Sequence, residues 1–73
     1  MKYNLRDIAE YSIAVINEFA RQFHLTEKQA FRYLTFHSGL TFIEENYGIA
    51  HTLNFQEVIE SVRLYCRNSG GKI

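Results

Sequence analysis

Apolar residues recur at three- and four-residue spacing along almost the whole chain. The pattern fails once, across Asn46-Tyr47-Gly48-Ile49-Ala50-His51-Thr52-Leu53. That periodicity is the signature of helices with one greasy face. The sequence of 73 residues contains no proline, so nothing in it forbids long helical runs. No stretch alternates with the period of two that a half-buried strand needs. The expected fold class is therefore all-α: a compact four-helix single domain, with one short helix and an ordered loop before the last helix. One domain is expected over residues 1–73, with an ordered core at about 4–69.

Caps and stops place the helices. Asn4 precedes the first, which is expected to end near Phe23, and Asp7 falls in the first turn where a helix dipole favours an anion. Leu5, Ile8, Ala9, Ser12, Ile13, Val15, Ile16, Phe19, Ala20 and Phe23 form a broad stripe that leaves Tyr11 outside. Thr26-Glu27-Lys28-Gln29 reads as a capping box opening the second helix, with Leu25 and Ala30 as its hydrophobic staple. Gly39 is expected to end it in a left-handed conformation. Thr41 and Glu44 suggest a second capping box for a short third helix, about Phe42 to Tyr47, stopped by Gly48. Asn54 is a cap for the last helix, whose inner face is Phe55, Val58, Ile59, Val62, Tyr65 and Cys66. Ser69-Gly70-Gly71 terminates it, and the residues beyond are expected to fray.

Composition narrows the function. A domain this short buries only about 60% of the surface its unfolded chain exposes, so eleven aromatic residues cannot all be hidden. Eight basic and eight acidic side chains give a formal charge of zero. That balance lacks the cationic excess with which nucleic-acid binders neutralise phosphates. Cys66 is the only cysteine, which excludes an internal disulfide and a cysteine-built zinc site. An unstapled small domain without a membrane-length apolar run or a signal-peptide core is expected in the cytoplasm.

Candidate sites are few. Tyr47, His51 and Thr52 bring a phenol, an imidazole and a hydroxyl close together in the aperiodic stretch. Without a second acid, a nucleophile or a phosphate-cradling loop they lack the matched set that catalysis needs. They are read as structural: Tyr47 plugging the core, His51 holding loop carbonyls, and Thr52 capping the last helix in place of Asn54. His24, His37 and His51 lie in different elements, and no metal site or cofactor is expected. His37 is read as a core or helix-end histidine, and Cys66 as a buried, inert thiol. The second and third helices have the outline of a helix-turn-helix, but Thr41, Glu44, Glu45 and Asn46 present two negative charges where base and phosphate contacts need cations or amides. Tyr11, Phe36 and Leu64 are large and lie off the predicted inner faces, which marks a surface for another protein or a second copy.

Phe42-Ile43-Glu44-Glu45-Asn46-Tyr47, then His51-Thr52, then an amphipathic helix ending in Arg67-Asn68-Ser69-Gly70-Gly71, resembles a family of short bacterial domains of unknown function. The resemblance covers most of the chain. It implies a signature carried by Tyr47, His51, Thr52 and Gly70, while Gly48 and Ala50 stand where the family often has larger residues. It also implies genes often placed beside a second family similar to ADP-ribosyltransferase toxins, and hence an accessory or antitoxin-like role. The combined expectation is a non-catalytic protein-interaction module; the alternative is a helix-turn-helix-like DNA-binding or autoregulatory protein. Neither a membrane nor a small-molecule ligand is expected.

Overall fold

Side-chain caps set three of the helix starts in a computed structural model that describes residues 3–73. Asn4 Oδ1 accepts from the Arg6 amide at 2.7 Å and opens α1, Leu5–Gln22. Thr26 and Gln29 exchange side-chain and backbone bonds of 2.9 and 3.0 Å, so the predicted capping box opens α2, Glu27–Phe36. Asn54 Oδ1 accepts from the Glu57 amide at 2.9 Å and opens α5, Phe55–Asn68. Between them lie α3, Gly39–Glu45, and a single turn, α4, Tyr47–Ala50. The chain is all-α, with no strand among the described residues. No helix among them is long and apolar enough to cross a membrane.

Five helices replace the expected four because the aperiodic stretch is itself one helical turn. Gly48 does not stop α3. It sits inside α4, where a Cβ would stand 2.8 Å from the Tyr3 hydroxyl. The expected Thr41–Glu44 capping box does not form, since α3 begins three residues earlier, directly after Ser38, with no side-chain cap. Nor is Gly39 the left-handed residue. Ser38 takes that conformation, at φ 63°, and Gly39 is the first residue of α3. Glycine is required there by packing: a Cβ would lie 2.7 Å from Cys66 Sγ and 3.0 Å from Leu34 Cδ2. Helix α1 likewise ends through a non-glycine residue, His24 at φ 57°, with the Leu25 amide reaching back to the Ala20 carbonyl at 2.9 Å.

The core joins α1, α2, α3 and α5. Phe19, Leu34, Ile43, Ile59, Val15, Val62 and Cys66 are fully enclosed. On α5 the predicted inner face holds for Val58, Ile59, Val62 and Cys66, with Phe55 half-buried and Tyr65 on the margin. On α1 the buried face is turned from the predicted one. Leu5 and Ile13 are exposed and Tyr11 is half-buried against the core. Tyr11 is covered by Tyr47 and Ala50 of α4 and by Phe55 of α5, while Leu5 and Ile13 stay open to water.

Beyond α5 the chain turns back instead of fraying. Gly70, at φ +101°, reverses it, and the Gly71 amide bonds to the Cys66 carbonyl at 2.9 Å. The Ile73 amide then donates to the Tyr33 hydroxyl at 3.1 Å, and Arg63 Nη1 donates to the Ile73 carbonyl at 3.0 Å. The radius of gyration, 11.3 Å, matches the value of about 11 Å expected for a close-packed chain of this length.

Candidate interaction surface

Helix α4 has two faces, and each does a different job. Tyr47 and His51, four residues apart, project to one side of the turn. Their rings stack with centroids 4.5 Å apart and planes 8° from parallel. Tyr11 and Tyr3 meet the Tyr47 ring edge-on at 5.4 and 5.1 Å, and Phe55 closes on Tyr11 at 6.0 Å. Edge-to-face contacts of this kind contribute beyond the area they bury.

The backbone of the turn is tied down group by group. The Tyr11 hydroxyl donates to the Ala50 carbonyl at 3.1 Å. His51 Nδ1 lies 2.6 Å from the Tyr47 carbonyl, which can only accept, so the Nδ1 proton is present. Thr52 Oγ1 donates to the Ile49 carbonyl at 2.6 Å, and Asn46 Nδ2 to the Phe42 carbonyl at 2.8 Å. Each of these four carbonyls also accepts a backbone amide at 3.0–3.1 Å, so the side chains add a second bond to oxygens that are already paired.

His51, expected to hold loop carbonyls, contacts one of them, that of Tyr47. Tyr47 is half-buried in an aromatic cluster rather than sunk in the core. Thr52 does not cap the last helix: Asn54 does, and Thr52 binds back to α4. Tyr11 turns inward to this cluster, which corrects its place among outward-facing residues. Burial and the neighbouring Tyr47 push the Tyr11 phenol above its ordinary pKa. Among the described residues, no carboxylate hydrogen-bonds to His51 or Tyr47, and no group of three His, Cys, Asp or Glu side chains stands close enough to hold a metal ion. His37 ends α2, its ring between Tyr33 and Phe36 and its Nδ1 3.3 Å from the Ser69 carbonyl.

The other face of α4 lines a groove. Ile49 and Ala50 of α4, with Leu53 just beyond it, face Phe42 and Ile43 of α3, the adjoining Asn46, and Val58, Ser61 and Val62 of α5 across a volume of about 160 Å³. Only Asn46 and Ser61 bring polar side chains to it. Ile49 is 68% exposed and Leu53 41% exposed, so two large apolar side chains stand open to water at its mouth. The Phe42 ring stacks on Tyr65 at 4.6 Å. Leu64, 48% exposed as expected, lies three residues beyond Ser61 and so on the same flank of α5. Phe36, 83% exposed, is carried on α2 instead and lines no part of the groove.

Ile49 and Leu53 were missed as surface residues because the stretch containing them reads as a loop. Their four-residue spacing inside a polar, aromatic segment is the one sequence signal that pairs them.

Over residues 10–69 the chain matches a family described as "Protein of unknown function (DUF3791)". No curated protein and no solved structure matches it.

Proposed function

The chain belongs to this family of proteins of unknown function, and from that premise we propose that it is a non-catalytic helical module that binds another protein. The observation that supports this most is the groove beside α4. A chain of 73 residues leaves Ile49, Leu53 and Leu64 open to water around an apolar depression and uses the side chains of Tyr11, Asn46, His51 and Thr52 to hold the segment that presents the first two. Exposed apolar side chains gathered at one place, rather than scattered, are what a contact surface needs. The Tyr47–His51 pair supports the same reading from the other side. The His51 Nδ1 proton and the Thr52 hydroxyl proton are both committed to backbone carbonyls, which anchors the segment that carries Ile49 and Leu53. The working place is the cytoplasm, and the partner is the product of a neighbouring gene of the ADP-ribosyltransferase-like kind, with this chain as its accessory or antitoxin-like companion.

The test is light scattering of the purified protein alone and with that neighbouring product, joined to affinity capture from the native host. A defined complex, lost on substituting groove residues and kept on substituting Leu5, is the expected result. A strictly monomeric protein that takes up neither the neighbour nor any host protein overturns the proposal.

A further inference from the structure

We propose that the groove between α3, α4 and α5 receives a short amphipathic helix of a different protein, one whose polar flanks carry lysine and arginine. This rests on the reading of the chain as an interaction module and names the chemistry of its partner.

Shape comes first. An apolar cavity of about 150 Å³ holds a benzene-sized group. The groove, at about 160 Å³, therefore has room for one large anchoring side chain, with Ile49, Leu53 and Leu64 extending the contact around it. Helices alone form its walls, and no strand edge exists among the described residues to which an extended peptide could add. A helix laid along the depression buries apolar side chains while satisfying its own backbone.

Charge selects among helices. From Tyr33 to Val62, thirty residues, the chain contains no lysine or arginine; its charged side chains there are Glu44, Glu45, Glu57 and Glu60. All eight Lys and Arg residues lie outside that segment, while every residue lining the depression lies within it; of the apolar residues around it, Leu64 alone lies outside, next to Arg63. Glu45 follows Phe42 by three positions on α3, and Glu57 precedes Ser61 by four on α5, so both stand on the ridges beside the groove. Both residues are exposed, and the Glu57 carboxylate is held in place by Asn54 Nδ2. Glu60 is already engaged by Arg63. A rim of this sign attracts a cationic helix and speeds its approach.

The same charges argue against other occupants. Two copies meeting groove to groove about a twofold axis would bring one acidic rim against the other. Phosphate backbones would meet carboxylates. The basic, aromatic outer face of α2, with Lys28, Phe31 and Arg32, could reach the groove of a second copy only head to tail, and such contacts propagate into open chains unless the rotation happens to close.

The experiment titrates the full chain with two designed four-turn helical peptides. Each has leucine along one face; the other face carries lysine in one peptide and glutamate in its twin. Anisotropy reads affinity, and amide chemical shifts read location. The lysine peptide should bind about tenfold or more tighter than its twin at low salt, with the gap closing at high salt. Shifts should cluster in α3, α4 and the first half of α5. Leu53→Asp should weaken both peptides about tenfold or more, and the double change Glu45→Gln, Glu57→Gln should remove only the preference for lysine. Ile49→Lys, at a more exposed position, guards against misfolding of the Leu53 variant. Equal binding of the twins, binding by neither, or shifts confined to α1 and α2 would overturn the proposal. So would self-association that Leu53→Asp abolishes, since the occupant would then be a second copy. Host-partner capture undiminished by Leu53→Asp would remove the groove while leaving the interaction module standing; failure of the wild-type protein to capture anything would remove the module itself.

Discussion

Two adjacent residues, Ser38 and Gly39, show how packing overrides the ordinary preference of a side chain. A glycine next to a helix end is normally placed where φ must be positive. Here the positive φ falls on Ser38, at a steric cost of about 1–2 kcal/mol. Gly39 is held in α3 by its approach to Cys66 and Leu34. The substitutions Ser38→Gly and Gly39→Ala should therefore act in opposite directions. Removing the Ser38 Cβ should stabilise the fold by about 0.5–1 kcal/mol, because the strain relieved slightly exceeds the added freedom of the unfolded chain. Adding a Cβ at Gly39 should cost about 1–3 kcal/mol, since one obstructing atom belongs to an enclosed thiol that has nowhere to move. Chemical denaturation midpoints check both. Neither position betrays this in the sequence, where a Ser-Gly pair simply reads as a turn.

Among the elements, α2 and α5 were legible because local chemistry places their starts. Thr26→Ala removes one half of the capping box and should cost about 1 kcal/mol, which for a domain of this size lowers the melting temperature by roughly 4–8 °C. Helix α4 is the opposite case. Four residues cannot nucleate a stable helix by themselves, and its start has no side-chain cap. Tyr11, Asn46, His51 and Thr52 tie it down by adding second hydrogen bonds to carbonyls, in it and beside it, that already accept backbone amides. His51→Ala removes one of these bonds together with the stack on Tyr47, and should lower stability by about 1–2 kcal/mol. Amide hydrogen exchange should show that loss concentrated in α4 rather than spread over the core. A melting temperature unchanged by His51→Ala would count against the anchoring role. On α1, Tyr11 is covered by α4 and Phe55, and periodicity alone gave no reason to prefer that flank over the one carrying Leu5 and Ile13.

At the scale of the whole molecule, Cys66 reports on the integrity of the core. It lies on α5, fully enclosed, within reach of α3 through Gly39. Burial pushes its thiol from the ordinary 9.0 up to about 11. The thiolate is the reactive form, so alkylation near pH 8 should be far slower than for an unfolded thiol and should track global unfolding in denaturant. The pH dependence has a definite sign. Because the folded pKa is the higher one, the unfolded chain loses this proton first as pH rises. Stability from this group is complete below about pH 9 and declines between about 9 and about 11, with a slope on the order of 1 kcal/mol per pH unit. Cys66→Ala lacks that slope. The stability gap between the wild-type and Cys66→Ala proteins should therefore narrow over this range, while contributions from groups common to both, such as Tyr11, cancel. A constant gap would show that the thiol is not held neutral by burial.

Read without coordinates, the chain already specified helices, most of their boundaries and the inner face of α5. Those properties depend on contacts between residues three or four apart, which a sequence displays directly. It also displayed a central stretch of thirty residues, Tyr33 to Val62, without lysine or arginine. Only the tertiary arrangement decided that Tyr11 turns inward, that Gly39 is fixed by a thiol 27 positions away, and that Ile49 and Leu53 border a depression shared by three helices. Each of these depends on the angle and distance at which separate helices meet, and that geometry is set by side chains filling a common space rather than by the order of residues within any one segment.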